Sequence, residues 1–222
     1  MDTGRPAGTV GTQSTSQRLR REHEGAYARA VQHPLVHGVA DGTLPDEGFD
    51  RLLAINSFFL RTYRRFLQVM GTLAPDPRSS ALLFEGLRGV DVELGHGKAY
   101  AAANGVDLDV SPSPRSMDYA SYVMASVGEG WARGLTVAFA CETAFHEAWR
   151  NVAASVPAES PRAVFVLAWG PDSDRFVEGL VAQVDKLTWT PELSRVVGHV
   201  LGLEVANWDE ALDGLAGQAE PG

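Results

Sequence analysis

The sequence predicts an all-α protein, a bundle of seven to eight helices. Two observations carry this. Almost every segment longer than ten residues places its apolar residues three and four apart, and strand-like alternation never lasts more than a few residues. Proline and glycine clusters then cut the chain into helix-length pieces joined by short links.

The first helix is expected over 17–32, ending before His33-Pro34, because a residue preceding proline avoids the α region. Asp41-Gly42-Thr43-Leu44-Pro45 reads as a turn that opens the next helix, with Pro45 near its first position and Asp46 and Glu47 set against the positive end of the helix dipole. Phe49, Leu52, Leu53, Phe59, Leu60, Tyr63 and Phe66 continue one apolar face to about Met70. A helix over about 79–105 follows, closed by Asn104-Gly105. The Ser111-Pro112-Ser113-Pro114 linker leads into a helix over 116–126. Beyond Gly128 to Gly130, a further helix carries Leu135, Val137, Ala138, Cys141, Phe145 and Trp149. Pro157 to Pro161 breaks the chain, a helix runs over about 172–187, and Pro191 opens a last one ending near Leu215. Residues 1–16 and 216–222 hold too little apolar surface to offset ordering, so a disordered arm and a flexible tail are expected around one domain at 17–215.

At 222 residues and 45% hydrophobic, the chain is long enough to bury a full core in one domain. A net charge of −9, with one basic cluster at Arg18 to Arg21, argues against a nucleic-acid partner. The single cysteine, Cys141, excludes an internal disulfide and fits a reducing compartment. No apolar run reaches membrane-spanning length, and the N-terminus lacks the apolar stretch of a signal peptide. A cytoplasmic protein with a small-molecule ligand is the expectation.

His33-Pro34-Leu35-Val36-His37-Gly38-Val39-Ala40-Asp41-Gly42-Thr43-Leu44-Pro45 resembles a motif of the TenA, or thiaminase II, family. Later features follow in that family's order across about 20–212: a long aromatic helix, Glu93 and His96 before Asn104-Gly105, a Ser-Pro linker before Tyr119, a cysteine on a helix, Trp169 ahead of Phe176, and Glu204 before Trp208. The resemblance implies a heme-oxygenase-like helical fold, thiamine salvage, homo-oligomers (a tetramer or dimer), no cofactor, and a pocket for an aminopyrimidine. It assigns the nucleophile to Cys141, the acid/base to Glu204, and ligand contacts to Asn56, Phe59, Tyr119, Phe145 and Asn207. Three of these depart from the family pattern: Asn56 stands for an aspartate, and Phe59 and Phe145 stand for tyrosines. The pocket therefore lacks one carboxylate and two hydroxyls, and an amide cannot balance a protonated aminopyrimidine as a carboxylate does. A second branch of the family uses a glutamate where the cysteine stands, which makes Glu142 the alternative catalytic residue. Successive helical residues point about 100° apart, so Cys141 and Glu142 cannot face one spot squarely.

Each residue also has a plainer reading. Free cysteine is commonly a small buried hydrophobe, and Tyr119 and Trp169 serve as core aromatics. Asn56 sits among Ile55, Phe58 and Phe59, so it needs a hydrogen-bond partner, which a ligand could supply. Glu93 and His96 have the spacing of one ligand pair of a di-iron bundle, and Glu142, His146 and His199 could extend it, but a second Glu-x-x-His is missing. Glu93 and His96 read instead as an intrahelical polar pair, and no metal is expected. A ligand-binding protein without catalysis is the alternative to a hydrolase; a di-iron oxygenase ranks below both.

Overall fold

The computed structural model describes residues 13–157, 160, 162–166 and 171–213. They form ten α-helical segments and no strand: α1 (Thr15–Glu22), α2 (Glu24–Val31), α3 (Pro34–Ala40), α4 (Asp46–Leu73), α5 (Pro77–Asn104), α6 (Pro114–Ser126), α7 (Trp131–Ala153), α8 (Ala163–Val166), α9 (Pro171–Val184) and α10 (Pro191–Leu212). Trp169 and the 216–222 tail lie outside the described residues, as does most of the 1–16 arm. No described helix is long and apolar enough to cross a membrane.

Three helices start by one device, a polar cap followed by proline. Asp76, Ser113 and Thr190 accept hydrogen bonds from backbone N–H groups of the first turns of α5, α6 and α10, and Pro77, Pro114 and Pro191 occupy the first helical position. Two predicted starts, 79 and 116, thus fall two residues late, because these prolines begin helices. Gly105 closes α5 at φ 73°, a conformation that favours glycine.

The first predicted helix divides at His23, which leaves the helical region at φ −117° and ψ 20°. His23 Nε2 pairs with Ser194 Oγ at 2.9 Å, and its ring packs on Gly198, where a Cβ would come within 2.7 Å. This contact with α10 joins residues 171 positions apart. Helical periodicity carries no trace of it. The helix also begins earlier than predicted: Ser14 caps α1, and Ser16 N–H donates to Asp185.

The His33-to-Pro45 motif builds a corner. His33 Nδ1 accepts from the Leu35 N–H and caps α3, leaving Nε2 to donate to Asp209 of α10 at 3.1 Å. Asp41 accepts from the N–H and hydroxyl of Thr43, Gly42 takes φ 76°, and Leu44 N–H donates to Gly38 O. The corner starts α4 so that it lies along α5, and α7 packs against α9 and α10. Phe49, Phe66, Tyr119, Trp149 and Trp208 are fully buried where these helices meet. Truncating such a side chain typically costs about 3–5 kcal/mol.

Candidate active site

Cys141 of α7, Tyr119 of α6 and Glu204 of α10 meet in the interior, none more than 4% exposed. Tyr119 Oη lies 2.5 Å from Glu204 Oε2 and 3.3 Å from Cys141 Sγ. A phenol has one proton, and the shorter approach to the stronger acceptor directs it to Glu204. The Tyr119 oxygen can then accept from the thiol. The three groups form a chain along which a proton can pass from sulfur to carboxylate.

Burial pushes the Glu204 carboxyl up to about 7; the Tyr119 hydrogen bond opposes the rise and the Glu142 charge adds to it. Burial also raises the Cys141 thiol well above its ordinary value, Tyr119 opposing and the charges of Glu204 and Glu142 adding. The thiol is thus protonated at neutral pH. It becomes nucleophilic only if its proton has somewhere to go.

Phe59 covers one side of this chain, its ring 4.4 Å from that of Tyr119 and 5.5 Å from that of Tyr63. Tyr63 is buried with its hydroxyl toward Glu142, whose rise it opposes. Glu142 points to a different part of the interior from its neighbour Cys141. It lines a cavity of about 400 Å³, with Glu93, Gly86 and Val90 of α5 and Phe176 of α9. Burial raises Glu142 to about 7, and raises Glu93 to about 8 with the charges of Glu142 and Glu204 adding. Asn56 Nδ2 donates to Glu93 Oε1 at 2.8 Å. Asn56 thus finds its partner within the protein, across the α4–α5 interface.

Two residues assigned to the ligand also make contacts within the protein. Asn207 accepts from Ser116 Oγ at 3.3 Å and ties α10 to α6, while Phe145 packs its ring near Trp149 and Trp208. The reading of Glu93 and His96 as an intrahelical pair is corrected: Glu93 bonds Asn56, and His96 Nδ1 has no hydrogen-bond partner among the described residues. His146 pairs with Asp174 at 2.7 Å, and His199 packs on Tyr122. Among the described residues, no group of three His, Cys, Asp or Glu side chains could hold a metal ion. Glu93 and Tyr63 were passed over as site residues. For Glu93 a signal existed, since it continues the buried stripe Leu83, Gly86, Val90 at helical spacing.

A family model described as TENA/THI-4/PQQC matches residues 20–166. The chain belongs to the TENA/THI-4/PQQC family. The matched span contains Asn56, Glu93, Tyr119, Cys141 and Glu142 and stops before Glu204, whose place in the site rests on geometry. Among solved structures, a TenA homologue of Pyrococcus furiosus superimposes with a TM-score of 0.82 at 22% identity, over 89% of this chain and 99% of that one. A protein of Sulfolobus solfataricus, provisionally named a TenA-like thiaminase, gives 0.78 at 17% identity over 91% and 96%. A domain from Shewanella denitrificans with a heme oxygenase-like fold gives 0.70 at 13% identity over 91% and 94%. At these identities the likeness concerns the fold, which is heme-oxygenase-like. No curated protein sequence matches the chain.

Proposed function

We propose that this protein is a hydrolase acting on an aminopyrimidine or a thiamine-degradation product, with Cys141 as nucleophile and Glu204 as the proton carrier. Family membership supports a thiamine-related role. The observation that carries the catalytic reading is the Cys141–Tyr119–Glu204 chain. In the forward step the thiol sulfur bonds to a ring carbon, its proton passes to the Tyr119 oxygen, and the Tyr119 proton passes to Glu204. Glu204 then gives that proton to the adduct or its leaving group, takes one from the water that adds in that group's place, and returns it through Tyr119 to the sulfur as the sulfur–carbon bond breaks, regenerating the thiol. A carboxyl near pH 7 suits both directions of transfer.

A second reading keeps the ligand and drops the thiol chemistry. It is favoured by the cavity wall, which includes Glu142 and not Cys141. Glu142 would then orient water, or the cavity would bind its ligand without turnover. Steady-state hydrolysis of thiamine and of 4-aminopyrimidines with a leaving group on the 5-methylene separates these. The first reading expects turnover in the wild type and in Glu142→Gln, and only a small residual rate in Cys141→Ala. Turnover surviving Cys141→Ala and lost in Glu142→Gln selects Glu142; tight binding with no turnover selects the binding protein.

For assembly, a cytoplasmic homotetramer is the expectation from the resemblance, and Val69 and Leu73 of α4 and Val92 of α5 offer exposed apolar surface. Light scattering at micromolar concentration tests it; a monomer would contradict it.

A further inference from the structure

Glu93 faces two separate spaces. It lines the cavity of about 400 Å³ between α5 and α9, and it also lines a crevice between α4 and α5, where about 10 Å³ is open to the centre of a water molecule. Among the described residues, Glu93 alone lines both. The crevice has room for one water. Polar groups suited to that water border it. Asn56 Nδ2 donates to Glu93 Oε1 at 2.8 Å, which holds the carboxyl in place. Ser57, 6% exposed, accepts from the Arg61 guanidinium at 3.3 Å, so its own hydrogen is free to donate into the crevice. The groups facing Glu93 are thus Asn56 and Ser57 from α4, with Arg61 behind Ser57, Glu142 from α7 and Glu204 from α10. The exposed Arg88 and Arg175 line the cavity that Glu93 shares with Glu142.

We propose that Glu93 and a water held by Ser57 form a proton port, through which the buried site exchanges protons with solvent while substrate fills the cavity. The proposal rests on the hydrolysis proposed above and on that cavity holding the substrate. Hydrolysis of thiamine needs such a route. Water supplies the hydroxyl of the product, the thiazolium leaves as a neutral thiazole, and a proton is left over. A substrate seated in the cavity closes the way out on that side. Burial, with the charges of Glu142 and Glu204 adding and the Asn56 hydrogen bond opposing, raises Glu93 to about 8, so it holds a proton at neutral pH. When Glu204 takes the thiol proton its charge disappears, and Glu93 passes its own proton to the crevice water and on to solvent. The surplus proton of the reaction then restores Glu93. Glu93 acts here through Glu204, as a positioning residue for the departing proton.

Gly97 gives access to the test. It lies one turn after Glu93 on the crevice wall, and helical side chains lean toward the helix N-terminus, so a side chain at 97 would lie over the crevice. A Cβ there meets no side chain and no other helix within 4 Å. Gly97→Leu therefore fills the crevice without a clash and with a better helix former. Gly95→Leu, exposed and outside both spaces, is the control for the change in helix propensity. A high-resolution crystal structure should show one water between Glu93 and Ser57 Oγ in the wild type and in Gly95→Leu, and none in Gly97→Leu. In single turnovers of thiamine by the full-length chain, an indicator dye should report proton release in step with thiazole formation in the wild type and in Gly95→Leu. In Gly97→Leu the release should lag and follow product dissociation instead. Glu93→Gln, which keeps an oxygen for Asn56 but carries no exchangeable acid proton, should show the same lag. Ser57→Ala, which removes the hydroxyl that seats the water, carries the test if Gly97→Leu does not fold. No water in the wild-type crevice, or proton release in step with thiazole formation in both Gly97→Leu and Glu93→Gln, overturns the port. Water held in the wild type and expelled by Gly97→Leu, with no thiamine turnover, overturns only the proposed reaction.

Discussion

Tyr119 Oη stands 2.5 Å from Glu204 Oε2, so two helices adjacent in the bundle, α6 and α10, share one proton at the sulfur of a third. Because burial raises both the phenol and the thiol well above their ordinary values, Glu204 is the member of this chain that titrates near neutrality.

The rate of hydrolysis should follow that titration. Glu204 must be ionised to receive the thiol proton, so kcat should rise with pH through about 7 and level off above it. Glu204→Gln should remove this limb and lower kcat by about 10² or more, as loss of a general base does. A pH–rate profile of both proteins checks the expectation.

Stability should move the other way with pH. Glu93, Glu142 and Glu204 have folded-state values of about 8, 7 and 7 against an ordinary 4.5, so the folded state holds protons that the unfolded chain has released. Their stabilising protonation is fully present below about pH 4.5 and is lost as pH rises to about 8. The melting temperature should therefore fall between pH 5 and pH 8 on the order of several degrees. Glu93→Gln should flatten the fall and melt higher than wild type at pH 8.

Glu93 also reverses the outcome that the sequence suggests for Asn56→Asp. Read from the sequence, this change restores a missing carboxylate and improves aminopyrimidine binding. In the structure it sets a second carboxyl about 3 Å from Glu93, where like charges cannot both ionise. Asn56→Asp should lower the melting temperature at pH 8 by an amount corresponding to about 1–3 kcal/mol, with little change at pH 5. It should not tighten binding. Thermal melts at the two pH values and one calorimetric titration suffice.

Gly86 sets the width of the cavity. A Cβ there would come within 2.2 Å of Phe176 Cζ, so Gly86→Ala must displace the Phe176 ring that lines the same space. A loss of about 1–3 kcal/mol and weaker ligand binding are expected. Adding Phe176→Leu should recover stability, as chemical denaturation of the single and double variants would show.

The helical class, most helix boundaries and the Cys141, Tyr119 and Glu204 set were legible because each leaves a local mark: periodicity, a cap, a proline, or a place in a family motif. The break at His23 and the Asn56–Glu93 bond were not. Each depends on a partner on another helix, 171 and 37 residues away, and spacing within one helix cannot report it. The roles assigned to Phe145 and Asn207 came from the resemblance, which matches positions along the chain. One turn of helix does not fix where a side chain points once Trp149, Trp208 and Ser116 compete for it.

The most direct test is a double-mutant cycle on kcat with Cys141→Ala and Tyr119→Phe. If the thiol acts only through the Tyr119 oxygen and Glu204, the two changes disable one device, and the double variant should be no slower than Cys141→Ala alone. Effects that multiply, with Tyr119→Phe slowing the Cys141→Ala protein as much as it slows wild type, would contradict a shared proton chain.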